Sequence, residues 1–188
     1  MSKQRPILVI ACALALAALA GCDQDEIRRY QVPRVETPRP RTSAPKGTLP
    51  TYTVPDGWKQ STRLAAMSVL TFLVGDGDQQ ARFTVSPLAG DAGGLLANVN
   101  RWRGQVGLDP TDEAGLPQDL QEIEVAGTRA HYVDLIGPES AGDERQRILS
   151  VMLVRDKQTW FFLLRGPAAT VGTQKDAFDA FVRSVKFE

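Results

Sequence analysis

Three patterns of apolar and polar positions follow one another along the chain. From Ile7 to Ala20 every residue is apolar or small, with Lys3 and Arg5 just ahead of the run. From Asp23 to Pro50 there is no hydrophobic periodicity at all. From Thr51 onward the periods of strands and helices alternate. Tyr52-Thr53-Val54 reads as a short strand, and Pro55-Asp56-Gly57 as a turn leading to Trp58. Between Arg63 and Val74 lies a strand apolar on both faces, which the pattern places in its later part. After Gly75-Asp76-Gly77-Asp78, the residues Ala81, Phe83 and Val85 alternate with Arg82, Thr84 and Ser86, predicting a hairpin partner with one solvated face. Leu95, Leu96, Val99, Trp102 and Val106 keep helical spacing, with Asn98, Arg101 and Gln105 expected on the solvent side and Gly107 placed to end the helix. A loop with one helical turn follows to Gln118. Strands are then expected at 120–126 and 128–136, and a second hairpin from 147–154 and 159–164 around Asp156-Lys157. Gly166-Pro167 opens a last helix, whose stripe is Val171, Phe178, Phe181, Val182 and Val185. Strands in tight hairpins, interrupted by two helices, predict an α+β domain: an antiparallel sheet covered by two amphipathic helices.

The N-terminal run has the layout of a secretory signal, and its fourteen residues are too few for a spanning helix, which needs roughly 20. It closes on Leu19-Ala20-Gly21-Cys22, which resembles the bacterial lipobox. The resemblance implies cleavage before Cys22, acylation of that thiol (palmitate among the acyl groups) and a lipid anchor in the cell envelope. A plain signal peptide and an uncleaved anchor are the competing readings. In lipoprotein sorting, an Asp at the next position favours the inner membrane, and Asp23 stands there. The expected partition is therefore a signal peptide over 1–21, a lipidated tether over 22–50 and one domain over 51–188.

Composition changes this picture in two places. The cysteines are Cys12 and Cys22, so a chain starting at residue 22 holds no thiol pair, although its compartment would permit a disulfide. Loss of Lys3 and Arg5 leaves 20 basic against 22 acidic residues, near −2, which argues against nucleic acid as a partner. The tether carries prolines at 33, 38, 40, 45 and 50 and basic residues from Arg28 to Lys46. Such a segment cannot bury enough apolar surface to offset its ordering entropy. Extended at about 3.1 Å per residue, it could reach on the order of 85 Å. It reads as a spacer, with a basic arm touching anionic surfaces as the second reading.

Two stretches of the domain carry resemblances. Tyr52-Thr53-Val54-Pro55-Asp56-Gly57-Trp58, with the hairpin after it and a closing helix bearing Phe178, Phe181, Ser184 and Phe187, resembles PsbP-like domains. That likeness implies an α-β-α sandwich used for binding or assembly. The segment from Gly90 to Gln105 is similar to one found in small uncharacterised bacterial lipoproteins, which implies no activity.

Candidate chemistry is sparse. His131 is the only histidine, with no nucleophile motif around any serine. No His or Cys cluster has zinc spacing, Asp76 and Asp78 fit a turn better than a calcium loop, and the glycines of Gly90 to Gly94 fit a connection better than a phosphate loop. No metal and no cofactor are expected. Arg101, with Asn98 and Gln105, is the candidate ligand-binding face, since a guanidinium can grip a carboxylate or phosphate. The expected role is a non-catalytic binding or assembly module, held to a membrane by its N-terminal lipid and meeting an envelope protein or a cell-wall polymer. The alternatives are a hydrolase or transferase using Asp134 and Glu144 as acid and base, and a purely structural lipoprotein.

Overall fold

The computed structural model describes residues 49–139 and 144–187, so the signal, Cys22, Asp23 and most of the tether lie outside the described residues. Seven strands form one sheet: β1 (Lys59–Gln60), β2 (Leu70–Val74), β3 (Ala81–Ala89), β4 (Leu120–Val125), β5 (Thr128–Ile136), β6 (Gln146–Arg155) and β7 (Gln158–Pro167). The helices are α1 (Leu95–Gln105), α2 (Ala168–Thr173) and α3 (Lys175–Ser184). The strand order is β1-β2-β3-β7-β6-β5-β4, and every neighbouring pair is antiparallel. Two meanders thus meet at the β3–β7 joint. The chain leaves β3, crosses one face through α1 and returns from the far edge.

Alternation along each strand sorts side chains to two faces. Phe72, Phe83, Phe162 and Leu164 join Val171, Phe178, Phe181 and Val182 of α2 and α3 in one core. Trp58 closes it, its ring 5.9 Å from that of Phe181 and its Nε1 donating to Gln174 Oε1 at 2.9 Å. On the opposite face, Val99, Trp102 and Val106 of α1 pack on Val133, Leu135, Ile148, Met152 and Phe161. The α+β class, with helices on both faces of an antiparallel sheet, follows directly from these two stripes.

Local departures have physical causes. Tyr52-Thr53-Val54 forms no strand. Thr51 makes a single bridge to Lys186, Thr53 N–H donates to Ser184 Oγ at 2.8 Å, and the Tyr52 ring packs 5.0 Å from that of Phe181. Pro55 has no N–H to continue a ladder, so the segment straps the end of α3 instead. The last helical stretch is two helices, not one. β7 runs through Pro167, so the helix begins only at Ala168, and it breaks at Gln174, whose side chain serves Trp58. The helix after the Gly90 to Gly94 connection ends as expected, with Gly107 at φ 82°.

Candidate functional site

α1 covers the β5–β6–β7 side of its face and leaves the β2–β3 side open. The result is a trough of about 510 Å³ between helix and sheet. Its floor is Leu73, Thr84 and Leu163, its helical wall Arg101, Trp102 and Gln105. A second hollow of about 440 Å³ continues it toward Arg63 and Leu64, sharing Leu73, Gln80 and Arg82. Four arginines therefore line one elongated depression: Arg63 from the β1–β2 loop, Arg82 from β3, Arg101 from α1 and Arg165 from β7. Asp78 and Glu144 line its first hollow as well.

Sheet pairing sets Arg82 directly opposite Arg165. Like charges in that relation destabilise a sheet unless something neutralises them. Among the described residues none of the four forms an ion pair; the paired arginines are Arg103, Arg129, Arg145, Arg147, Arg155 and Arg183. Arg101 rests 6.0 Å over the Phe161 ring and donates to Asn98 Oδ1 at 2.6 Å. Among the described residues Arg165 reaches only the neutral Gln105 Oε1, at 3.4 Å. These contacts orient the guanidiniums without cancelling their charge.

The polar residues expected on α1 divide into two groups. Arg101 and Gln105 line the trough. Asn98 does not face solvent: it is 1% exposed, and its Nδ2 donates to the carbonyls of Ala92 at 3.0 Å and Gly94 at 2.6 Å. The Gly94 carbonyl also accepts the Asn98 backbone N–H at 3.3 Å, so the side chain folds back over the first turn and ties it to the glycine-rich connection. Asn100 exchanges two hydrogen bonds with the Thr111 backbone, and Arg103 donates to Asp109 O at 2.6 Å and pairs with Asp119. These three side chains staple the crossover to the helix and leave Arg101 aimed outward. Arg82 and Arg165 gave no sequence signal, because only the β3–β7 pairing brings them beside Arg101; Arg63 joins the second hollow from the β1–β2 loop.

The carboxylates read as an acid and base do not form a pair. Glu144 lies at the trough. Asp134 accepts two hydrogen bonds from Arg147, at 2.8 and 2.7 Å, and lies 3.7 Å from Lys175 of α3 on the other face. The Asp134 hydrogen bond holds the Arg147 guanidinium pKa above its usual value, against the opposing effect of burial. Lys175 donates to the Tyr132 hydroxyl and lies 4.4 Å over its ring. Burial, reinforced by the charges of Asp179 and Asp134, pushes the Tyr132 phenol above its ordinary value of 10. The folded state thus holds this proton more tightly than the unfolded chain. Its contribution to stability is complete below pH 10 and is lost as pH rises toward the folded-state value. Replacing Tyr132 with phenylalanine should flatten the fall in stability above pH 10, measured by urea unfolding between pH 9 and 11.5. An unchanged slope would remove this phenol as its source.

His131 sits between Glu122 and Met152 in the sheet, and its Nδ1 and the Ser150 Oγ are buried without partners among the described residues. Among those residues no group of three His, Cys, Asp or Glu side chains gathers to hold a metal, and no helix is long and apolar enough to cross a membrane. The loop Gly75-Asp76-Gly77-Asp78 is the β2–β3 connection, with Asp76 paired to Lys59 at 2.8 Å.

No protein-family model matches the chain, and no curated protein matches it. Solved structures do. LpqN of Mycobacterium tuberculosis, described as involved in cell envelope biogenesis, is 15% identical over 75% of this chain and 84% of its own, with a TM-score of 0.50. Cyanobacterial PsbP from Synechocystis is 14% identical over 74% of this chain and 93% of its own, with a TM-score of 0.46. At such identities the likeness to LpqN shows a shared fold.

Proposed function

We propose that this protein is an envelope lipoprotein whose domain is a non-catalytic binding module, with the arginine-lined trough as its ligand site. The observation that carries the reading is the meeting of Arg63, Arg82, Arg101 and Arg165 in one open depression, unpaired among the described residues. The separation of Asp134 from Glu144 weighs against the acid–base alternative, which needs both groups at one reacting atom. Attachment to the membrane rests on Leu19-Ala20-Gly21-Cys22, with Asp23 favouring the inner membrane. Several acyl chains, at about 0.8 kcal/mol per buried methylene, make such an anchor stable. That LpqN, of the same fold, is involved in cell envelope biogenesis agrees with this location. The partner is an envelope protein or cell-wall polymer.

Two measurements test the proposal. Cys22→Ser should move the protein from the membrane to the soluble fraction or block its processing; continued membrane attachment of a normally processed product would sink the anchor. Crosslinking of intact cells should give adducts that Arg82→Gln and Arg101→Ala both lose. An unchanged set in both variants would discard the trough as the binding site.

A further inference from the structure

The proposed binding role leaves the ligand open, and the shape and charge of the trough narrow it. Its two hollows are continuous through Leu73, Gln80 and Arg82, so the depression is longer than one headgroup-sized cup. Its arginines come from four separate elements: Arg82, Arg101 and Arg165 line the first hollow, and Arg82 and Arg63 the second. Each guanidinium is a planar fork suited to a phosphate or carboxylate. The floor between them is partly apolar, with Leu73 and Leu163 beside Thr84, so a chain's uncharged links can lie there while its anionic groups meet the arginines.

We infer that the trough binds a linear polyanion, a chain carrying oxyanions (phosphate or carboxylate) at intervals. This rests on the reading of the trough as a ligand site. The opposition of Arg82 and Arg165 across β3 and β7 is then a built-in strain that the ligand relieves. Two consequences separate a ligand site from a structural one. Removing one of the two charges weakens binding, and the same change makes the ligand-free domain more stable.

The test uses the full chain purified in detergent, with calorimetric titration of three soluble probes: inorganic tripolyphosphate, orthophosphate and dihexanoylphosphatidylglycerol. Tripolyphosphate should bind at least about tenfold more tightly than either single-phosphate probe, and weaken with added salt. Arg82→Gln and Arg165→Gln should each cost about tenfold or more in its affinity. Arg129→Gln, on the distant β4–β5 hairpin and paired with Glu122, should leave it unchanged. In low salt without ligand, Arg82→Gln should raise the melting temperature by about 1–3 °C. Equal affinity for dihexanoylphosphatidylglycerol would make the ligand a lipid headgroup and overturn the polyanion. So would no binding of tripolyphosphate, or a lower melting temperature with unchanged affinity. If tripolyphosphate fails to bind while the crosslinked adducts still depend on Arg82 and Arg101, the polyanion falls and the binding module stands.

Discussion

Alanine at position 181 is expected to remove about 3–5 kcal/mol of folding stability, a large share of the roughly 5–15 kcal/mol that holds a typical domain together. Phe181 is 1% exposed and is the hub of the aromatic core. Its ring centre lies 4.6 Å from that of Phe83, 5.0 Å from Tyr52, 5.9 Å from Trp58 and 6.3 Å from Phe72. Truncation removes the transfer energy of the ring and leaves a void walled by other rings. Those rings are fixed from several sides, by the sheet, the Gln174 hydrogen bond and the Tyr52 strap, so they cannot collapse inward. Urea unfolding measures the loss. A loss below about 1 kcal/mol would mean that the cavity closes and that α3 is not seated through this ring.

Gly137→Ala should be nearly as damaging, costing about 3 kcal/mol, near the upper end for overpacking. A Cβ there would fall 2.1 Å from the Val106 carbonyl oxygen and 3.4 Å from that of Gln146. Both neighbours are backbone, so no side chain can swing aside. Gly137 also donates its N–H to Gln146 O at 2.9 Å, which keeps the strand end from retreating. The methyl group must therefore push the last turn of α1 off the sheet. A fall in melting temperature of about 6–12 °C checks the stability claim. Because Arg101 rides on the same helix, tripolyphosphate affinity should fall too. A variant that melts like the parent would show that the helix end yields freely.

Much of the architecture could be read along the chain because it depends on local period. Alternation from Ala81 to Ser86 and the stripe from Leu95 to Val106 each decide one element without reference to the rest. Failures came where a side chain answers to a distant partner. Gln174 interrupts a helical stripe in order to meet Trp58, 116 residues away. Asn98 has the angular position of a surface residue but turns back to the carbonyls of Ala92 and Gly94. The trough was half visible: helical register exposes Arg101 and Gln105, yet nothing in the sequence says that β3 and β7 are neighbours. Without that pairing Arg82 and Arg165 are two ordinary residues on solvated strand faces. The same ignorance made Asp134 and Glu144 look like a candidate pair, when the sheet lies between them.

Strand β7 joins β3 to β6 in the middle of the sheet, although it lies in the last thirty-one residues of the sequence. Arg82 and Arg165 meet across a separation of 83 residues. A nascent or truncated chain lacking β7 holds two separate meanders with unpaired inner edges, and it lacks α2 and α3 as well. Closure of the sheet waits for β7, and pairing so remote in sequence is slow to form. The order of the elements thus leaves the two halves of the sheet separate until β7 has been made.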